Sequence, residues 1–249
     1  MNIAVWFSCG VASAVAAKKT VERYYKNGHT VSVIYNPVIE EDQDNLRFLK
    51  DIEKWIEIPI KIITNPDFTS ASAVEVWNKR KFMSGPKGAP CTIELKKKAR
   101  QWYEKHCDTK IDMHVLGFTA DEVKRHQRFV ESERSNVLPV LIEENLTKQD
   151  CFDIILKAGI EVPRVYKMGY PNANCIGCVK ATSPTYWNLV REKHPGVFAL
   201  RAEQSRRIGA RLVRVKGQRI FLDELDLNDK GQDLKEFNID CGVFCEEKR

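Results

Sequence analysis

No stretch of this chain approaches the apolar length of a membrane-spanning helix. The start, Met1-Asn2-Ile3-Ala4-Val5-Trp6-Phe7, lacks the basic flank and the long apolar segment of a secretory leader. Internal repeats and low-complexity segments are missing as well. His106, His114, His126 and His194 have no metal-ligand spacing with one another and read as surface or packing residues. These absences point to a cytoplasmic protein whose eight cysteines serve as metal ligands, catalytic thiols or buried thiols rather than as disulfides. What is present is 249 residues, enough for one large α/β domain or one domain with a C-terminal appendage. The net charge of +6 and the pI near 8.8 accommodate a polyanionic partner, nucleotide or nucleic acid, without demanding one.

The cysteines are not scattered. Cys175-Ile-Gly-Cys178 and Cys241-Gly-Val-Phe-Cys245 are close pairs, and such spacing can place both sulfurs on one soft metal ion or iron–sulfur cluster. The first pair follows Gly169-Tyr170-Pro171-Asn172-Ala173-Asn174, a turn-rich run where backbone N–H groups can point at sulfur. A shared site would staple the tail to the body of the protein. A redox dithiol, or small thiols buried in a core, are the alternatives. Cys107 and Cys151 have no paired spacing.

The first half alternates strand and helix patterns. Strands are expected at Ile3 to Phe7, Thr30 to Tyr35, Pro59 to Thr64 and Ile111 to Phe118. Helices are expected from Val11 to about Asn27, from Gln43 to Ile56 and from Asp121 to about Ser132. In the second of these, Leu46, Leu49, Ile52, Trp55 and Ile56 recur at helical spacing. Strands alternating with helices of this length imply a doubly wound, mainly parallel sheet, with ligands at the carboxyl ends of its strands. A boundary near residue 160 would separate a nucleotide-binding domain, 1–160, from a cysteine-bearing region, 161–249. Further on, Leu212 to Val215 turning at Lys216-Gly217 into Ile220 to Leu222 reads as a hairpin crowded by Arg206, Arg207, Arg211, Arg214 and Arg219. Those cations either track a phosphate backbone or guard a solvated ribbon edge, the second being favoured.

Ser8-Cys9-Gly10-Val11-Ala12-Ser13 joins the first strand to the first helix. A Ser- and Gly-bearing turn there aims free N–H groups and the positive helix end at an anion. The Gly-Lys-Ser/Thr ending of a Walker loop is missing. The segment instead resembles the Ser-Gly-Gly-x-Asp-Ser pyrophosphate loop of the adenine-nucleotide α-hydrolase (PP-loop ATP pyrophosphatase) superfamily. It matches at Ser8, Gly10 and Ser13, and departs at Cys9, in place of a glycine, and Ala12, in place of an acid. Gly117-Phe-Thr-Ala-Asp-Glu122-Val-Lys-Arg125 looks like the loop that closes over the nucleotide in the phosphoadenosine-phosphosulfate reductase-like branch. Read on its own, it is also a helix start capped by Thr119. Cys91-Thr-Ile-Glu-Leu-Lys96-Lys97 resembles the Cys-Thr-x-x-Leu-Lys stretch of the same branch, although a lysine run is equally a solvated helix face. Gly169-Tyr170 through Asn174-Cys175 to Lys180, followed by Tyr186-Trp187, resembles a subgroup of that branch common in bacteria and phages, and Phe221 to Leu225 and the closing Cys241–Cys245 pair fit the same subgroup. Asp240-Cys241-Gly-Val-Phe-Cys245 imitates the Glu-Cys-Gly-Leu-His ending of true sulfonucleotide reductases, but lacks the histidine and adds a cysteine.

The resemblance implies a cytoplasmic enzyme, in a bacterium or phage-infected cell, that binds ATP or a related adenine nucleotide with Mg²⁺. It implies nucleotide contacts at Ser8, Cys9, Gly10, Val11, Ser13, Tyr35, Gly117 and Glu122, and catalytic roles for Lys96, Arg125 and Cys91. Adenylation of an acceptor, pyrophosphate release and sulfur transfer would follow, with tRNA or DNA as acceptor, a sulfur-donor protein and a homodimer as the partners to test. Cys175, Cys178, Cys241 and Cys245 would hold a [4Fe–4S] cluster, with Zn²⁺ as the alternative. Two competing functions remain open: a sulfonucleotide reductase, and a metal-stapled binding protein that has lost hydrolysis.

Overall fold

The computed structural model describes residues 1–85 and 88–234. In chain order it contains β1 (Asn2–Phe7), α1 (Val11–Arg23), β2 (Thr30–Tyr35), α2 (Asp44–Ile56), β3 (Ile60–Ile62) and α3 (Ala73–Arg80). Next come α4 (Ala99–His106), β4 (Met113–Val115), α5 (Val123–Ser132), β5 (Val137–Leu138), α6 (Val140–Glu143) and α7 (Lys148–Lys157). The remainder holds α8 (Arg164–Lys167), α9 (Pro184–Lys193), α10 (Pro195–Ile208), β6 (Val213–Val215) and β7 (Gln218–Ile220). No helix among the described residues is long and apolar enough to cross a membrane.

The chain folds into two compact units, and they do not follow a single cut near residue 160. One unit comprises Met1–Pro37, Gln43–Thr64 and Ala99–Pro163. The other takes Val38–Asp42, Asn65–Lys98 and the chain from Arg164 onward. The segments after β2 and β3 thus belong with the cysteine-bearing part. Their apolar side chains explain this: Phe68, Val76, Trp77, Met83 and Leu95 share a core with Tyr186 and Trp187.

The first unit is built on a five-stranded sheet in the order β3-β2-β1-β4-β5, with every pairing parallel. Burial of Ile3 through Phe7 on both faces is what a central parallel strand requires. Alternation then assigns the faces. Phe7 meets Phe48 of α2, ring centroids 6.3 Å apart, while Trp6 meets Tyr103 of α4 edge-on at 6.2 Å. Helices therefore cover both faces, the doubly wound arrangement. Expected strands shorten here: Ile111 to Phe118 pairs only as Met113–Val115, and Val137–Leu138 adds an edge strand too brief for any periodic signal.

In the second unit the expected hairpin forms between β6 and β7. Lys216 and Gly217 have φ of 46° and 84°, the left-handed pair that a two-residue turn needs. A separate helix start is built around Glu40. Its carboxylate accepts from Ser72 Oγ at 2.8 Å and from the N–H groups of Ala73 and Val74 at 2.8 and 3.1 Å, neutralising the positive end of α3.

Candidate functional site

Strand order reverses between β1 and β4, since the chain runs outward from β1 to β3 and then returns to β4 on the other side. The crevice at such a switch point is where open parallel sheets bind ligands. The two segments leaving it are the Ser8–Ser13 turn and the Gly117 loop, the pair that sequence reasoning selected.

The turn is closed by Ser13. Its Oγ accepts from the Ser8 backbone N–H at 3.1 Å, donates to the Gly10 carbonyl at 2.9 Å and lies 3.1 Å from Ser8 Oγ. Gly10 is the N-cap of α1 and has no side chain to cap it, and no acid occupies the first turn. The helix start therefore presents N–H groups and the positive end of its dipole without a built-in anion. Val11 is packed away at 1% exposure, so only its backbone can serve a ligand.

Cys9 explains its own unusual place. Its φ of 56° is left-handed, a conformation that costs a non-glycine residue roughly 1–3 kcal/mol. The side chain is fully buried and its Sγ points to the Asn45 carbonyl at 3.6 Å. The thiol thus anchors the turn to α2 and faces away from solvent. Gly117 presses on the same turn from β4: a Cβ added there would lie 2.8 Å from Ser13 N and 3.0 Å from Ala12 C. Only glycine lets these two segments approach so closely.

Glu122 and Arg125 form an ion pair at the start of α5, with the Arg125 guanidinium 5.3 Å from the Phe118 ring centroid. Glu122 also accepts from the Thr119 backbone N–H at 3.3 Å, so the helix-capping role expected for this segment is present. Arg125 keeps 37% side-chain exposure. Tyr35 ends β2 at 2% exposure, its ring tilted against Phe7. It contributes to the core beneath the site.

Lys96 and Cys91 belong to the other unit. Thr92–Lys98 winds as a π-helix, and Lys96 pairs with Glu41 at 2.9 Å, each side chain only 7% exposed. The solvated-face reading of this lysine is corrected: Lys96 lies in a buried ion pair. Cys91 is half-buried against the apolar core of the second unit.

Of the four candidate metal ligands, Cys175 and Cys178 are described, while Cys241 and Cys245 lie outside the described residues. Tyr186 holds the pair together. Its Oη accepts from the Cys178 N–H at 2.9 Å and donates to the Cys175 carbonyl at 3.3 Å. Burial drives this phenol's pKa well above its ordinary value, keeping it neutral and able to donate. Gly177 supplies the left-handed residue of the turn, with φ of 67°. Two soft donors in a tight, hydrogen-bonded turn suit either zinc or an iron–sulfur cluster, so this half of the donor set fits a thiolate-held metal. Among the described residues, no group of three or more His, Cys, Asp and Glu gathers as a metal site. Cys151 behaves differently: fully buried, its thiol is pushed up to about 12 by desolvation, and it is an inert packing residue.

Sequence reasoning missed Arg201. The guanidinium is buried at 3% exposure and stacks over the Trp77 ring at 4.5 Å. The signal was available, because Phe198, Arg201, Ala202 and Ser205 form one buried stripe at helical spacing along α10. A scan of the chain against protein-family models and a search of curated proteins both return no match.

Proposed function

We propose that this protein is an adenine-nucleotide enzyme of the PP-loop type, related to the phosphoadenosine-phosphosulfate reductase-like branch. The observation that carries the reading is the uncapped start of α1, closed by Ser13 and pressed by Gly117 at the switch point of a parallel sheet. Backbone N–H groups at the start of α1 would hold the phosphates of ATP, with Mg²⁺ arriving on the nucleotide. Attack of an acceptor on the α-phosphorus forms an acceptor–adenylyl bond and expels pyrophosphate. The N–H groups and Arg125 offset the charge that develops on the leaving oxygens. Displacement of AMP by a sulfur nucleophile would then complete transfer to a nucleobase or small molecule. A metal held by Cys175 and Cys178, when bound, would supply a soft centre able to carry sulfur.

One feature favours a second reading, a nucleotide-binding protein without hydrolysis: Ala12 leaves the first turn of α1 with no carboxylate for water or metal. Titration calorimetry with ATP tests the common premise, and absence of ATP binding would refute both. Pyrophosphate release, measured with and without tRNA or DNA, separates the enzyme from the binding protein. A thioredoxin-dependent sulfite assay isolates the remaining alternative, a sulfonucleotide reductase.

A further inference from the structure

Arg206, Arg207, Arg211, Arg214, Lys216 and Arg219 fall within residues 204–222, a stretch that has no carboxylate. The whole chain carries a net charge of +6, so outside this stretch the two signs balance. Two of these cations have ordinary explanations. Arg206 and Arg207 end α10, where positive charge suits the helix dipole, and Arg206 also pairs with Asp223 and Glu224. The other four are exposed, and among the described residues none has a carboxylate within ion-pair distance.

The β6–β7 ribbon explains where they point. Val213 is buried and Ile220 packs against the core of its unit, so alternation turns Arg214 and Arg219 to solvent. These two sit directly opposite each other in the register. Like charges so placed destabilise a strand pair, and burial followed by the charge of Arg214 lowers the pKa of Arg219. Lys216 occupies the turn, while Arg211 lies at the entry to β6 with its guanidinium 5.3 Å from the Phe221 ring centroid. The ribbon is tied down at its base. Arg219 donates to the Leu212 carbonyl at 3.0 Å, and the Arg214 backbone N–H donates to the Thr182 carbonyl at 2.9 Å. Guarding a sheet edge does not account for the repulsion, because strands of three residues are already too short to recruit another chain.

We propose that this ribbon docks on the phosphate backbone of double-stranded DNA. Three of the four unexplained cations are arginines, whose planar forks match phosphate oxygens two at a time. No large apolar side chain of residues 204–222 is exposed, so the surface lacks what enters a lipid interface or anchors a protein partner. A two-stranded ribbon fits the major groove of B-form DNA, whereas the major groove of duplex RNA is deep and narrow. The docking does not rest on the adenine-nucleotide reading and requires neither ATP nor a metal.

The test titrates a short fluorescein-labelled DNA duplex with the full chain, without ATP, over a series of salt concentrations. An RNA duplex of the same sequence is titrated beside it, and fluorescence anisotropy reads affinity and salt slope. The parent should bind DNA more tightly than RNA, with affinity falling steeply as salt rises. The Arg214→Gln, Arg219→Gln double variant should bind DNA roughly tenfold or more weakly at about 0.1 M salt. Its log–log salt slope should shrink by about two, one for each lost phosphate contact. A Lys26→Gln, Lys50→Gln variant removes the same charge from exposed positions in the other unit and should keep the parent's slope. If circular dichroism shows that the first variant does not fold, Arg214→Gln with Lys216→Gln takes its place. A parent that leaves DNA unbound, parent-like affinity and slope in the folded ribbon variants, equal losses in the control, or tighter binding to RNA than to DNA would each overturn the proposal. Failure to bind ATP in its own titration would overturn only the nucleotide reading.

Discussion

Replacing Gly117 by alanine probes the contact that builds the nucleotide site. The new methyl carbon would sit 2.8 Å from Ser13 N and 3.0 Å from both Ala12 C and Ser13 Cα. All three are backbone atoms in the first turn of α1, so no side chain can rotate to make room. Either the helix start or the β4–α5 connection must shift by a few tenths of an ångström. Overpacking of this kind costs about 1–3 kcal/mol. Because the displaced N–H groups are those assigned to phosphate, much of that penalty should appear in binding. At 1.4 kcal/mol per tenfold, ATP affinity should fall roughly 5- to 150-fold. Calorimetric titration with Mg-ATP, paired with thermal unfolding, measures both effects. Gly196→Ala is the control, since a Cβ there meets nothing within 4 Å. A Gly117→Ala protein with the ATP affinity of the parent would refute the assignment of this crevice as the nucleotide site.

Ser13→Ala removes the hydroxyl that closes the turn and should weaken ATP binding by about 1 kcal/mol, read by the same titration. Arg125→Ala breaks a partly exposed ion pair and should change stability by no more than about 1 kcal/mol while lowering turnover; equal turnover would return Arg125 to a surface role. Lys96→Ala removes the Lys96 partner of a buried carboxylate, Glu41, so it should destabilise the protein by about 3–5 kcal/mol in denaturant unfolding, whatever it does to activity. His114, at 2% exposure, is lowered from 6.5 to about 4 by burial and then by the charge of Arg134. The unfolded chain therefore binds a proton between those pH values that the folded chain refuses. Stability is intact above pH 6.5 and falls by about 3 kcal/mol as pH drops towards 4. A His114→Gln variant should lose this slope, and an unchanged slope would assign it to other groups.

The alternation of β-branched runs with helical spacing was enough to read the parallel sheet and to place the Ser8–Ser13 and Gly117 segments at strand ends, because those patterns are local. The β6–β7 turn was legible for the same reason, since Lys216-Gly217 carries its own backbone preference. The short pairing of Val137–Leu138 was not legible, because two residues hold no period and their strand exists only through β4. Nor was the grouping of 38–42 and 65–98 with the cysteine-bearing unit, which depends on a core shared by residues far apart in the chain. Composition marked Lys96 as a charged helical residue, but only tertiary packing set it against Glu41 and out of water. Cysteine spacing named Cys175 and Cys178 as a pair. It could not reveal that α10 brings a buried Arg201 against the glycine between them, because that approach is made by packing across the unit and not by any local signal.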